Sequence, residues 1–221
     1  MKYEGYDSKE ALLTRFAAGK RVLHVGAVGC TLGTPEEKVA AAERSVHALL
    51  SSVSSACVGV DIDEAGVAAL SEAGVFTNII AADIASLTVG DLPLDAVDVI
   101  VAGDVIEHLS NPGIMLANLH RLGSPHTRLL VTTPNAMGLP NFVRHATGRY
   151  VEGDDHVCSF NAFTLRNLLE RHGWTVERVL SCHQFGAAHR TGGILFSLGR
   201  AMFRTAPRLG GTLFLVAVAR G

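Results

Sequence analysis

Cysteine is scarce in this sequence and never occurs as a Cys-x-x-Cys pair. The four cysteines lie far apart along the chain, at Cys30, Cys57, Cys158 and Cys182. A disulfide framework or a zinc site built on thiolates needs cysteines at closer, paired spacings. The pattern therefore argues against both kinds of domain and favours a reducing compartment, so we expect a cytoplasmic protein.

An excess of charge of one sign and long apolar runs are also missing. The chain has 19 Lys and Arg against 21 Asp and Glu, a formal net charge of −2. Nucleic-acid-binding surfaces usually concentrate basic residues, so we expect no nucleic-acid partner. The most apolar stretch, Thr212–Ala219, is much shorter than the roughly 20 residues that span a bilayer. The N-terminus lacks the apolar core of a signal peptide, and we expect no membrane span.

Short apolar runs alternate with longer segments of helical periodicity, which is typical of βαβ units and a parallel sheet. We predict a Rossmann-like α/β fold with a seven-stranded, mostly parallel sheet, an antiparallel C-terminal strand and helices on both faces. The 221 residues fit a single domain, 1–221, with insertions at about 136–161 and 184–211. The predicted strands are 21–27, 57–63, 77–83, 97–103, 128–134, 175–183 and 212–220. The predicted helices are 36–53, 64–74, 112–122 and 164–173.

Glycines and carboxylates follow the first three predicted strands. The first strand runs into a glycine turn within Val22–Gly29 (VLHVGAVG), the second leads to Asp61 and the third to Asp83. A glycine turn lets a ligand approach the backbone closely, and a carboxylate after the second strand can accept hydrogen bonds from ribose hydroxyls. Because the carboxyl ends of parallel strands share one edge of a sheet, we expect one ligand to contact all three positions.

These segments resemble the cofactor-binding motifs of the class I S-adenosylmethionine-dependent methyltransferases. The resemblance implies that the glycine turn receives the methionine part of S-adenosylmethionine, that Asp61 binds its ribose and that Asp83 faces its adenine amino group. The cofactor-binding residues that the resemblance implies are Gly26, Ala27, Asp61, Ile62, Asp83, Ile84 and Gly103.

The glycine turn departs from the family pattern at two positions. His24 stands where the family usually has an acidic residue, and Val28 where it usually has a second glycine. These departures leave open a second hypothesis, a non-catalytic relative that binds an S-adenosyl ligand or another metabolite. A nicotinamide-binding domain would also use Asp61. It is disfavoured because the turn reads Gly-Ala-Val-Gly-Cys-Thr from Gly26 and does not complete G-x-G-x-x-G.

An acidic residue and a Glu-His pair follow the fourth predicted strand, at Asp104, Glu107 and His108. His156 lies in the insertion after the fifth strand. This part of the chain resembles a broad branch of small-molecule methyltransferases, and the similarity extends through Asp154–Trp174. The resemblance points to the branch and not to a particular acceptor.

Three roles are open for these side chains. In the first, His108 and His156 are structural, and their side chains connect loops through hydrogen bonds to each other or to the backbone. In the second, a neutral imidazole near Asp104 removes a proton from an acceptor hydroxyl as the methyl group arrives. In the third, which is less favoured, Mg²⁺, Mn²⁺ or Zn²⁺ is bound by Asp104, Glu107, His108 and His156. Such a set resembles the metal sites of small-RNA 3′-terminal ribose methyltransferases and ubiquinone-pathway O-methyltransferases.

The sequence thus predicts an enzyme that uses S-adenosylmethionine as cofactor to methylate a small molecule, with a hydroxyl oxygen as the expected acceptor atom. His108, His156 and Asp104 are the candidate catalytic residues. A divalent metal is an additional cofactor only in the less favoured hypothesis. The sequence leaves the acceptor and the oligomeric state open.

Overall fold

One mixed β-sheet runs through the part of the chain that the computed structural model describes, residues 3–6, 8–29, 33–149, 153, 155–182 and 206–220. Eight strands of these residues form the sheet. They are Tyr3–Tyr6 (β1), Arg21–Val25 (β2), Ala56–Asp61 (β3), Ile79–Ala81 (β4), Val99–Gly103 (β5), Arg128–Pro134 (β6), Trp174–Cys182 (β7) and Thr212–Ala219 (β8). All seven predicted strands are present, and β1 is an additional strand at the edge beside β7.

The order of the strands is β1-β7-β8-β6-β5-β2-β3-β4. β8 runs antiparallel to both of its neighbours, whereas the other neighbouring pairs are parallel. The chain passes from β2 to β3 and β4 on one side, and then crosses to β5 on the other side of β2. The carboxyl ends of β2 and β5 therefore form the switch point of the sheet, where ligands bind in open α/β folds.

Helices cover both faces of the sheet. Those in the described ranges are Lys9–Ala17 (α1), Pro35–Ala41 (α2), Val46–Val53 (α3), Glu64–Glu72 (α4), Pro112–Leu122 (α5), Leu139–Ala146 (α6) and Ala162–Arg171 (α7). One apolar core joins Leu13 of α1 and Leu50 of α3 to the sheet. Another joins Leu116 of α5 and Leu165 of α7 to the opposite face. The predicted fold class is therefore confirmed.

The predicted helix 36–53 is wrong as one continuous element. A short turn, Ala42–Arg44, and the extended backbone of Ser45 (φ −75°, ψ 163°) separate α2 from α3. The Ser45 hydroxyl accepts a hydrogen bond from the backbone N–H of Ala48 at 3.1 Å, which caps a new helix. The second helix places His47 in the interior, where it is fully buried.

Two helices lie outside the elements predicted from the sequence, α1 at the N-terminus and α6 in the first insertion, 136–161. The hydroxyl of Ser8 caps α1 by accepting a hydrogen bond from the N–H of Ala11 at 3.1 Å. The predicted insertion 184–211 lies outside the described residues as far as residue 205. Among the helices that are described, none is long and apolar enough to cross a membrane.

Candidate active site

The glycine turn after β2 lies at the switch point of the sheet. Gly26 has a φ of +76°, and a Cβ at this position would lie 2.5 Å from Cγ2 of Val105. Glycine is required here because the turn packs directly on the residues after β5. Gly29 has a φ of +93°, and a Cβ there would meet no described atom within 4 Å. The turn is therefore closed towards β5, and at Gly29 no atom of the described residues prevents a ligand from approaching the backbone.

Asp61 connects the end of β3 to this turn. Its Oδ2 accepts a hydrogen bond from the N–H of Val28 at 2.8 Å, and its Oδ1 accepts one from the N–H of Asp63 at 3.0 Å. A carboxylate has about four acceptor positions, so these bonds orient Asp61 and leave capacity for two ribose hydroxyls. The Val28 side chain packs on α4. A Cβ on Gly66 of that helix would lie 2.7 Å from Cγ1 of Val28. The absent side chain of Gly66 thus accommodates the valine.

The residues after β3 and β4 form the other end of the predicted cofactor site. Asp83 is exposed, and its Oδ1 accepts a hydrogen bond from the N–H of Ala85 at 2.8 Å. Ile62 is 70% exposed, whereas Ile84 is 7% exposed and packs in the core. Of the two predicted apolar contacts, the side chain of Ile62 is available to a ligand, and that of Ile84 supports the turn from the interior.

Asn118 of α5 holds the turn after β4 in place. Its Nδ2 donates hydrogen bonds to the backbone oxygens of Ile84 at 2.6 Å and Leu87 at 2.8 Å, and the residue is 4% exposed. A buried amide with two such bonds fixes the local backbone. Nothing in the sequence marks this role, because one asparagine in an amphipathic helix has no distinctive spacing.

Asp104 follows β5 with a φ of +54°, a conformation that residues other than glycine rarely adopt. Its Oδ2 lies 2.5 Å from Nζ of Lys9, and its Oδ1 accepts a hydrogen bond from the Thr132 hydroxyl at 2.9 Å. The Asp104 side chain is 43% exposed and the Lys9 side chain 8% exposed. Lys9 comes from α1, far from any motif, and is a site residue that sequence patterns do not reveal.

The first insertion folds against the turn that follows β5. The backbone oxygen of Glu107 accepts hydrogen bonds from the N–H groups of Val157 at 2.9 Å and Cys158 at 3.0 Å. These bonds hold His156 beside His108, with ring centroids 4.7 Å apart and ring planes at 82°. The two imidazoles that the sequence analysis singles out therefore meet at the same edge of the sheet.

Glu107, His108 and His156 form a cluster of possible metal ligands. One ligand atom from each residue lies within 4.8 Å of the others. Asp104, the fourth residue of the predicted metal set, is not in this cluster, and its carboxylate is bound by Lys9 and Thr132. The structure thus brings together three of the four predicted ligands.

The carboxylate of Glu107 is buried, and no described donor makes a hydrogen bond of normal geometry with it. The residue is 1% exposed, and neither oxygen accepts a hydrogen bond from the described residues. Burial raises the pKa of Glu107, and the charge of Asp104 raises it further; the nearby backbone and the Thr133 hydroxyl lower it by less. A buried carboxylate of this kind is stable only when a proton or a cation neutralises it. Nearby, Nδ1 of His108 lies 3.2 Å from Oδ2 of Asp155, a contact by distance that does not have the geometry of a hydrogen bond.

His24, below the glycine turn, belongs to a buried chain of hydrogen bonds. Its Nδ1 lies 3.2 Å from Nδ1 of His47, whose Nε2 lies 3.2 Å from Oδ1 of Asn78. Nδ2 of Asn78 donates to the backbone oxygen of Cys57 at 2.9 Å, so Oδ1 accepts from His47 and His47 in turn accepts from His24. Burial lowers the pKa of His24 to about 3. His24 is therefore neutral and places no charge beside the turn.

The sequence matches a family model described as a methyltransferase domain over residues 6–179. No curated protein matches the sequence. Among solved structures, the chain is similar to a SAM dependent methyltransferase from Archaeoglobus fulgidus, with 17% identity, a TM-score of 0.58 and coverage of 95% of this chain and 92% of that chain.

Two further solved structures share the fold. One is magnesium protoporphyrin IX methyltransferase from Synechocystis PCC 6803 with bound S-adenosylhomocysteine, at 17% identity, a TM-score of 0.57 and coverage of 96% of this chain and 80% of that chain. The other is the small RNA methyltransferase HEN1, at 15% identity, a TM-score of 0.58 and coverage of 96% of this chain and 25% of that chain. Identities this low show a common fold.

Proposed function

We propose, since this chain belongs to the methyltransferase domain family, that it transfers the methyl group of S-adenosylmethionine to a hydroxyl of a small molecule. S-adenosylmethionine is the cofactor. The residues that would hold it follow β2, β3 and β4 in the order methionine part, ribose and adenine: Gly26, then Asp61 with Ile62, then Asp83. Their exposure and the open glycine turn fit such a ligand.

The bound cofactor supplies a methyl group on a positively charged sulfur. The chain's own contribution to such a displacement is alignment of donor and acceptor, and removal of the acceptor proton. Asp61 provides alignment, because its carboxylate is already oriented by the N–H groups of Val28 and Asp63. An oriented acceptor loses little further freedom when it binds the ribose.

The pair of imidazoles beside the switch point, His108 and His156, is the observation that supports a hydroxyl acceptor. Asp155 lies 3.2 Å from Nδ1 of His108. If the proton of the neutral ring is on Nδ1, Nε2 keeps a lone pair. A neutral imidazole in that state can remove a proton from a hydroxyl. The Asp155 carboxylate would stabilise the imidazolium that forms.

A second candidate function, metal-assisted methyl transfer, is favoured by the buried carboxylate of Glu107, which makes no hydrogen bond of normal geometry with the described residues. Together with His108 and His156 it offers mixed oxygen and nitrogen ligands within 4.8 Å, a set suited to Mn²⁺ or Zn²⁺. The cation would neutralise the buried carboxylate and would act as a Lewis acid towards the acceptor hydroxyl. We leave Asp104 out of this ligand set, since Lys9 and Thr132 bind its carboxylate.

One set of assays tests this function. The chain is incubated with S-adenosylmethionine and a panel of hydroxylated small molecules, and the formation of S-adenosylhomocysteine is followed. If an imidazole is the base, His108→Ala or His156→Ala should lower turnover by about 10²–10⁴-fold with unchanged cofactor affinity. If a metal is used, chelation should abolish turnover, Mn²⁺ or Zn²⁺ should restore it, and Glu107→Gln should behave like the histidine variants.

His126→Ala is the matched control, because His126 is exposed and lies outside the site. It should keep the turnover of the wild-type chain under all conditions. Full turnover in both His108→Ala and His156→Ala, with or without a chelator, would remove these side chains from the reaction.

A further inference from the structure

Helix α6, in the first insertion, has its apolar side turned away from the domain. Its apolar residues recur at the spacing i, i+3, i+4 and i+7 and so share one side of the helix: Leu139, Phe142, Val143 and Ala146. Phe142 is 59% exposed and Val143 is 48% exposed, and Met137, just before the helix, is 65% exposed. An amphipathic helix of a globular domain normally buries this side. The apolar side of α6 is therefore not part of the core that the described residues form.

The polar side of α6 attaches the helix to the domain. Asn141 lies on this side, and its Nδ2 donates hydrogen bonds to the backbone oxygens of Asn135 at 2.8 Å and Gly211 at 3.4 Å. Beyond this contact, every residue from 142 to 149 is exposed. The helix is thus held at its first turn by polar contacts, and its apolar side chains face outward.

The residues around α6 carry positive charge without carboxylates. The segment 108–151 contains four arginines and no Asp or Glu. Arg144 in α6 and Arg149 after it are exposed, and neither forms an ion pair with a described residue. The segment 178–221, whose Gly211 contacts α6, has six arginines and again no Asp or Glu. In a chain with a net charge of −2, both segments have a local excess of positive charge.

We propose that α6 binds the surface of an anionic lipid bilayer. The α6 surface consists of Met137, Phe142, Val143, Arg144 and Arg149. An exposed apolar side flanked by basic residues is the pattern of helices that lie in the membrane interface. The apolar side chains would enter the boundary of the acyl chains, and the two arginines would reach the phosphate groups of the lipids. This binding requires no membrane span and does not depend on methyl transfer.

Charge and polarity favour a bilayer over other partners. A second copy of the chain would bring the arginines of two α6 surfaces together, and like charges repel. A nucleic acid would attract the arginines through its phosphates but would leave Phe142 and Val143 without an apolar environment. An anionic bilayer provides both negative headgroups and an apolar interior. The α6 surface also lies at the same edge of the sheet as the candidate active site, because α6 follows β6 and Asp104 follows the parallel neighbour β5.

Sedimentation with lipid vesicles tests the proposal. The wild-type chain should bind vesicles of phosphatidylcholine that contain about 30% phosphatidylglycerol, and it should bind pure phosphatidylcholine about tenfold more weakly. Salt should weaken the binding to the mixed vesicles. The double variant Phe142→Ser and Val143→Ser should bind the mixed vesicles about tenfold more weakly or less. The double variant Arg144→Gln and Arg149→Gln should lose about tenfold on the mixed vesicles and almost nothing on phosphatidylcholine.

Two matched controls remove the same kinds of side chain elsewhere. Val89→Ser replaces an exposed valine near β4, at the far end of the sheet from β7 and β1. Arg121→Gln with Arg171→Gln replaces two exposed arginines in the last turns of α5 and α7, where the chain returns to the opposite edge of the sheet. Both controls should bind the vesicles as the wild-type chain does.

Fluorescence gives a readout that needs no loss of binding. The chain has one tryptophan, Trp174, which is fully buried. The tryptophan introduced by Phe142→Trp should shift its emission to shorter wavelength with the mixed vesicles, because it enters an apolar environment. An unchanged emission, or equal binding of the wild-type chain and the Phe142→Ser and Val143→Ser variant, would overturn the proposal. A wild-type dimer that binds no vesicles, and that this variant converts to a monomer in sedimentation velocity, would assign the surface to a second copy instead.

Discussion

At the scale of single residues, three carboxylates at one edge of the sheet differ in chemistry because their surroundings differ. Asp61 is oriented by two backbone N–H groups. Asp104 is held by a lysine and a hydroxyl. Glu107 is buried with no hydrogen bond of normal geometry among the described residues, and burial raises its pKa. The first suits a neutral ligand with hydroxyls, the second is already bound by a cation within the chain, and the third suits a proton or a metal cation.

Replacement of Glu107 by Gln should raise the melting temperature at neutral pH. The pKa of Glu107 is raised above its ordinary value of 4.5. The stability that the protonated carboxyl contributes to the fold is therefore fully present below pH 4.5, and it is lost as the pH rises through the raised pKa. Glutamine removes the charge, so the stability difference between variant and wild type should grow between pH 4 and pH 7. Scanning calorimetry at both pH values measures it.

Metal binding gives the same variant a second test. Mn²⁺ should raise the melting temperature of the wild-type chain and not that of Glu107→Gln. Glu72→Gln, at an exposed position at the end of α4, should show neither effect. A metal-free Glu107→Gln chain that is less stable than wild type by the same amount at pH 4 and pH 7 would mean that the carboxylate has a partner.

At the scale of elements, the junction of β2, α3 and the start of β4 depends on two neutral histidines. His47 of α3 packs over Gly59, where a Cβ would lie 2.9 Å from its Cε1. It joins His24 of β2 to Asn78 through hydrogen bonds. Burial lowers the pKa of both histidines, to about 3 for His24. Protonation of either would leave a buried cation and break the chain of hydrogen bonds.

Acid should therefore destabilise the fold at this junction. A histidine whose pKa is lowered in the folded state contributes its full stability above the ordinary value of 6.5, and loses it as the pH falls towards about 3. Between pH 7 and pH 5 the free energy of unfolding should fall by about 2 kcal/mol for His24 alone. His47 adds a loss of the same sign.

Denaturant unfolding at the two pH values measures this loss. The double variant His24→Gln and His47→Gln should be less stable at pH 7 but should lose much less stability on acidification. His126→Gln, at an exposed position, should retain the wild-type dependence. An equal pH dependence in the double variant and the wild type would show that the junction does not titrate.

The elements themselves could be predicted where a single local feature determines them. Buried strands appear as apolar runs, and α5 coincides with the predicted helix 112–122 because a proline begins it and its periodicity is regular. The break before α3 could not be predicted, because apolar periodicity continues across Ser45. Strand β1 escapes prediction since its pairing comes entirely from β7, far away in the sequence.

At the scale of the whole molecule, topology decides which residues can act together. The position of the proposed cofactor residues at one edge could be predicted, because each follows a buried strand and parallel strands end at one edge. Lys9 and Asn118 could not, because they come from helices whose contacts arise only when the sheet is assembled. His156 is an intermediate case. The sequence places it in an insertion after the fifth predicted strand, but two backbone bonds to Glu107 determine its place beside His108.

The central claim is that the edge formed by β2, β3 and β4 binds an S-adenosyl ligand through Asp61. Calorimetric titration of S-adenosylhomocysteine and NAD⁺ into the wild-type chain, Asp61→Ala and Asp83→Ala tests it most directly. We predict that S-adenosylhomocysteine binds, that Asp61→Ala weakens binding by roughly 2–4 kcal/mol, and that Asp83→Ala weakens it less, because water can replace one adenine contact. NAD⁺ should not bind. Tight binding of NAD⁺ without binding of S-adenosylhomocysteine, or equal affinity in Asp61→Ala and wild type, would contradict the claim.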